Sequence, residues 1–172
     1  MRATTRYRAA MVVGAAALLV GGPAWAAPQS APHAAVAAAP SDSDLEAVRI
    51  DPDDAAPGGQ TTLHAFVANL GPDTTGSPMT ITVTLPRGTE ATDPYFPEDC
   101  EASQNHRRVR CVFPAGLKSQ RSATAQIPIR LDPELEFGVY KGTFTVHSPD
   151  DRNGQNNRVE FDIKVVEADP GL

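Results

Sequence analysis

The sequence predicts an all-β protein built as an antiparallel sandwich, and three observations carry that expectation. From Asp44 onward, apolar and polar residues alternate with a period of two in one segment after another, the pattern of strands with one buried face. Glycine and proline punctuate these segments about every ten residues, as turns do in two-sheet sandwiches. No stretch carries an apolar stripe of helical period long enough for a confident helix.

The elements follow in chain order. Leu45, Val48 and Ile50 suggest a first, irregular strand. Leu63, Ala65 and Val67 line one face of the next, between Gly58-Gly59 and Gly71-Pro72. Met79, Ile81, Val83 and Leu85 make a regular strand closed by Pro86 and Gly88. Val109, Cys111 and Phe113 alternate with Arg108, Arg110 and Val112. Ala123, Ala125, Ile127, Ile129 and Leu131 form another face, and Pro128 within it points to an edge or a bulge because proline cannot donate to a ladder. Tyr140, Gly142, Phe144 and Val146 come next, then Val159, Phe161, Ile163 and Val165, with the turn pair Asn153-Gly154 between them. These are seven strands, or eight with a short one near residues 98–102.

One detail narrows the fold. Tyr140 opens the penultimate strand just after Gly138. Immunoglobulin-like domains place a tyrosine there, and its hydroxyl ties the preceding loop to the strand. Two residues on, where antibody domains carry cysteine, stands Gly142, so the antibody inter-sheet disulfide is not expected. The predicted architecture is an immunoglobulin-like antiparallel β-sandwich of 7–8 strands.

The chain of 172 residues allows one ordinary domain with appendages. Residues 1–26 read as a signal peptide: a basic start with Arg2, Arg6 and Arg8, an apolar run from Ala9 to Val20, then Ala24-Trp25-Ala26 as a cleavage site before Ala27. Residues 27–43 are rich in alanine, proline and serine and read as a disordered, flexible tether, having no apolar face to offset the entropy of ordering. The sandwich spans 44–168 and residues 169–172 form a tail. Cleavage would remove three basic residues and no acid, taking the formal charge from −6 to −9. Such an acidic chain is not expected to bind nucleic acid. No apolar run after the leader is long enough for a membrane helix. The expected product is therefore secreted and extracellular.

The segment Leu63-His64-Ala65-Phe66-Val67-Ala68-Asn69-Leu70-Gly71-Pro72, followed by Ile81-Thr82-Val83-Thr84-Leu85-Pro86-Arg87-Gly88, resembles the bacterial conserved-repeat domains of secreted and wall proteins. These are relatives of the cell-adhesion-related domain of bacteria (CARDB-like). Their pattern is a strand, Asn-x-Gly-Pro, a second strand and Leu-Pro-x-Gly. Gly138, Tyr140 and Asn156-Asn157 match its later part, so the resemblance covers about Asp44 to Glu167. It implies the sandwich fold and a role in extracellular interaction. Read locally, Asn69 bonds to its own turn, Gly71 takes a positive φ and Pro72 fixes the residue after.

Few residues offer chemistry. The pair Cys100 and Cys111, with ten residues between them in a chain expected to be secreted, should form a disulfide that closes a local loop. No serine, cysteine or zinc-protease motif accompanies the histidines, and alternation points His64 and His147 outward, so no catalytic residue is assigned. Asp51-Pro52-Asp53-Asp54 and the run from Asp150 through Asp151 to Asn153 offer the hard oxygens that calcium takes. They lack the spacing of a calcium loop, and no metal or cofactor is assigned. His106, Arg107, Arg108 and Arg110 form the one positive concentration, inside the disulfide loop, and Tyr95-Phe96 is the one exposed aromatic pair. The loop from Tyr95 to Arg110 is thus the candidate binding surface, for an extracellular protein or an anionic wall polymer. The function expected is that of a secreted, non-enzymatic interaction module. The alternative is a small-ligand carrier or inhibitor on the same scaffold.

Overall fold

The computed structural model describes residues 41–168; the expected signal peptide, most of the tether and the tail lie outside them. Nine strands follow in order: β1 (Leu45–Val48), β2 (Gln60–Asn69), β3 (Met79–Thr84), β4 (Thr89–Ala91), β5 (Glu101–Ala102), β6 (Arg108–Phe113), β7 (Ser122–Leu131), β8 (Gly138–His147) and β9 (Arg158–Val165). They form a four-stranded sheet in the order β1-β2-β7-β4 and a five-stranded sheet in the order β5-β6-β3-β8-β9. Every strand pair is antiparallel, and no helix occurs among the described residues. The count exceeds the expected 7–8 because β4 and β5 hold three and two residues, too few to display an alternating pattern.

The inner faces supply the core. Leu63, Ala65 and Val67 of β2 meet Ile81 and Val83 of β3, Val109 and Cys111 of β6, Ile127 and Ile129 of β7, Phe144 and Val146 of β8, and Phe161 and Ile163 of β9, all buried. The expected register of β1 is corrected. Leu45 and Ala47 face inward, while Ile50 is 41% exposed. Pairing decides this: Leu45 lies opposite Asn69 and Ala47 opposite Val67, and residues directly opposite share a face.

Three local expectations also change. Pro128 lies within β7, between β2 and β4, rather than on an outer strand. Its carbonyl accepts from Thr92 N–H on the side where the three-residue β4 has already ended, so the missing N–H leaves no long ladder unpaired. Gly71 does not have a positive φ. Its need is for space: a Cβ there would meet Asp42 O and Asp44 N at 2.5 Å. The folded body also begins before Asp44, because Ser43 is buried and the Ser41 hydroxyl donates to Asp150.

The tyrosine corner is present. The Tyr140 hydroxyl donates to the Glu136 carbonyl at 3.0 Å, tying the β7–β8 loop to β8.

Candidate functional site

Cys100 and Cys111 are joined by a disulfide. Cys111 sits on the inward face of β6, and β5 pairs beside it, with Glu101 opposite Arg110 and Ala102 opposite Val109. Covalent bond and ladder together define a hairpin whose tip runs from Ser103 to Arg107. At the tip, His106 N–H donates to Ser103 O, and Asn105 Oδ1 accepts from the Ser103 hydroxyl and Arg107 N–H. His106 has φ +50°, a left-handed conformation open to histidine in tight turns.

This hairpin does not bring the six candidate binding residues onto one surface. Arg108 and Arg110 project outward from β6, flanking buried Val109. Arg107 has the opposite parity. It turns toward the end of the sandwich, where one Nη donates to Leu85 O at 3.3 Å and Nε is buried without an acceptor. Tyr95 and Phe96 belong to the other sheet: Phe96 exchanges two backbone hydrogen bonds with Gln126 of β7, of 3.1 and 2.8 Å. Tyr95 packs against the core; burial, and then the Asp93 charge, raise its phenol pKa. Phe96 is 54% exposed. The separation follows from the path of the chain. Residues 92–100 cross from the β4 edge of one sheet to β5 at the edge of the other.

What Arg108 and Arg110 join is the outer face of the five-stranded sheet. The register places Glu101, Arg110, Thr82, Thr145 and Arg158 in one row across the strands, and Arg108, Thr84, Thr143 and Glu160 in the next. Arg108, Arg110 and Arg158 form no ion pair among the described residues. Arg110 reaches only the Thr80 hydroxyl, at 3.5 Å. The threonines between them were not singled out from the sequence, although Thr80, Thr82 and Thr84 alternate with the core residues of β3 and Thr143 and Thr145 do so on β8. Alternation marks an outward face; only the pairing register shows that these residues and the arginines share one.

The acidic candidates hold loops. Asp150 is 2% exposed. Its Oδ2 accepts from the Ser41 hydroxyl and from Gly76 and Ser77 N–H, and its Oδ1 accepts from the Ser77 hydroxyl. Burial opposes its charge, but these hydrogen bonds outweigh burial and hold the carboxyl below its ordinary range. Asp151 accepts from Asn153 N–H and the Asn157 amide, so Asp150 anchors Ser41 and the 76–77 loop while Asp151 closes its own turn. Asp51 accepts from Arg49 and from Asp162 N–H and titrates low, chiefly because of Arg49; it fastens the segment after β1 along the edge of β9. Among the described residues, no three His, Cys, Asp or Glu side chains are grouped as metal ligands. No described helix is long and apolar enough to cross a membrane.

A cleft of about 430 Å³ opens at one end of the sandwich, where Gly58, Gly88, Glu90, Arg107, Arg130 and Asp132 contribute to its walls.

No family model matches the sequence, and no curated protein matches it. Solved structures do match. The third cohesin of ScaC from Acetivibrio cellulolyticus, solved with a ScaB dockerin, is 11% identical with a TM-score of 0.54, covering 72% of this chain and 99% of that one. The seventh ScaB type I cohesin from Pseudobacteroides cellulosolvens is 10% identical with a TM-score of 0.52, covering 75% and 96%. A CARDB domain from Pyrococcus furiosus, solved with di-metal ions, is 18% identical with a TM-score of 0.46, covering 72% and 93%. The two-sheet topology and the two cohesin matches give the chain the immunoglobulin-like sandwich fold that its strand pattern and tyrosine corner predict.

Proposed function

We propose that this chain is a secreted, non-enzymatic interaction module that engages an extracellular protein through the outer face of its five-stranded sheet. The observation that carries the reading is the set of Arg108, Arg110 and Arg158, three guanidiniums that form no ion pair among the described residues, on one face of an otherwise acidic chain. Charged groups so placed steer a complementary surface and fix its register. The disulfide holds the hairpin in shape before contact, which lowers the ordering cost of binding. The two cohesins support the reading as proteins of the same fold, one of them solved bound to a dockerin.

The test uses the chain as secreted into culture medium. N-terminal sequencing should begin at Ala27, and retention of residues 1–26 would contradict the secretory reading. The purified protein is then immobilised and exposed to the extracellular fraction. Arg108→Ala combined with Arg110→Ala should reduce partner capture by about tenfold or more. Lys118→Ala combined with Arg121→Ala, which removes the same charge from the β6–β7 connection, should leave capture intact. Equal capture by both double variants would overturn the assignment.

A further inference from the structure

The cleft lies apart from the surface proposed above. Gly58 precedes β2, Gly88 precedes β4, Arg107 precedes β6 and Asp132 follows β7, while Glu90 and Arg130 lie within β4 and β7, so the cleft is built by loops and strand ends at one end. The N-terminal segment Ser41–Asp44 is bound at the other end, beside Asn69 and Asp150. Its volume, about 430 Å³, falls within the range of small-molecule sites. Gly58 and Gly88 have φ of +73° and +78°, conformations that disfavour a side chain. A Cβ at Gly88 would in addition run into the Leu135 side chain.

The charged groups around it are incompletely used. Arg107 enters from the five-stranded sheet with one hydrogen bond of 3.3 Å, to Leu85 O. It forms no ion pair among the described residues, and its Nε is buried and unpaired. A guanidinium left short of acceptors is costly. Asp132 comes from the four-stranded sheet. Its Oδ1 caps Glu134 N–H at 2.9 Å, and its Oδ2 has no hydrogen-bond partner among the described residues. Glu90 and Arg130 pair with each other at 3.3 Å, both more than half exposed, so that pair is worth little and exchanges readily. The cleft thus offers one cation with a buried, unpaired Nε and one solvent-facing carboxylate oxygen that no described group occupies.

We infer that the cleft binds a small zwitterion of the size of a free amino acid or dipeptide, with its carboxylate on Arg107 and its ammonium on Asp132. A simple anion would satisfy Arg107 but lie beside Asp132 and Glu90. A simple cation would meet the reverse conflict with Arg107 and Arg130. An apolar ligand would leave the charged walls desolvated and unpaired. Only a molecule with both charges satisfies both walls.

Glycylglycine, acetate and ethylamine separate these cases. Amide NMR titration of the full secreted chain should show saturable shifts at Gly58, Gly88 and Thr89 with glycylglycine. The two singly charged probes should bind about tenfold more weakly or worse. Arg107→Gln and Asp132→Asn should each weaken glycylglycine binding by about tenfold, while Lys118→Gln, at the opposite end, should not. Asp132→Asn retains the capping oxygen, so it tests the inference even if Arg107→Gln does not fold. Equal responses to all three probes, no saturable shift with glycylglycine, or binding unchanged in Asp132→Asn would each overturn it.

Discussion

Gly142 of β8 lies directly opposite Phe161 of β9 in the ladder, and the Phe161 ring occupies the space that a side chain at 142 would fill. Phe161 is fully buried, and a Cβ at position 142 would meet three of its ring carbons. The position that carries a disulfide cysteine in antibody domains is thus filled here by an aromatic ring from the neighbouring strand. Gly142→Ala should force this ring out of place and destabilise the fold by about 1–3 kcal/mol. Urea unfolding monitored by circular dichroism measures it; a midpoint equal to that of the unmodified protein would show that the ring has room to move.

Asn69 should be the most sensitive polar residue of the fold. Its Oδ1 accepts from Asp44 N–H at 3.3 Å and Gly71 N–H at 3.1 Å, and its Nδ2 donates to Asp73 O at 2.8 Å and Leu117 O at 3.0 Å. It is wholly buried. Asn69→Ala strands these partners at once and should cost about 3 kcal/mol or more. Hydrogen exchange should quicken most at Asp44, Gly71 and their neighbours, because Asn69 joins the N-terminal segment to two loops.

Asp150 should govern acid stability at the same end. Its carboxyl is held below the ordinary aspartate value of 3.8, because hydrogen bonds from Ser77, Ser41 and Gly76 outweigh burial. A depressed folded-state pKa stabilises the fold above the unfolded value, and that contribution disappears as pH falls through the folded one. Stability of the unmodified protein should therefore decline below about pH 4. Asp150→Asn should be less stable at pH 7 and should show a flatter acid limb. Parallel acid limbs for the two proteins would exclude this residue as the source.

Removing the disulfide should matter chiefly to the hairpin. Cys100→Ser with Cys111→Ser opens a loop of ten intervening residues, worth about 3 kcal/mol on the chain-entropy account. Cys111 is fully buried, so the introduced hydroxyl adds to the cost. The change is measured by thermal unfolding, with the doubly substituted protein expected to remain folded at 25 °C but to melt earlier.

Much of the fold was legible because its causes are local. Alternation in β2, β3, β6, β7, β8 and β9 identifies their buried faces, since side chains in a strand change sides at every residue. Tyr140 after Gly138 was legible for a similar reason: its hydroxyl reaches a carbonyl only four residues back, at Glu136. The paired cysteines needed only the count and the expected compartment. β4 and β5 were too short to leave a pattern, and β1 was misread because Ala47 carries less apolar weight than Val48 and Ile50 while its pairing with Val67 turns it inward.

The candidate site divides along the same line. By itself, the sequence determined that Arg108 and Arg110 share one side of a strand and that Cys100 and Cys111 close their loop. Tertiary structure alone decided that Arg107 enters an end cleft with Arg130 and Asp132, that Phe96 joins β7, and that Arg158 and the threonines of β3 and β8 lie on the face of Arg110. It also decided that Asp150 is a buried anchor for Ser41 and Ser77. The physical reason is distance along the chain. Side-chain parity is set between neighbours in sequence, whereas shared faces, clefts and buried charges arise from strand pairings and loop contacts between residues tens of positions apart, which no local pattern encodes.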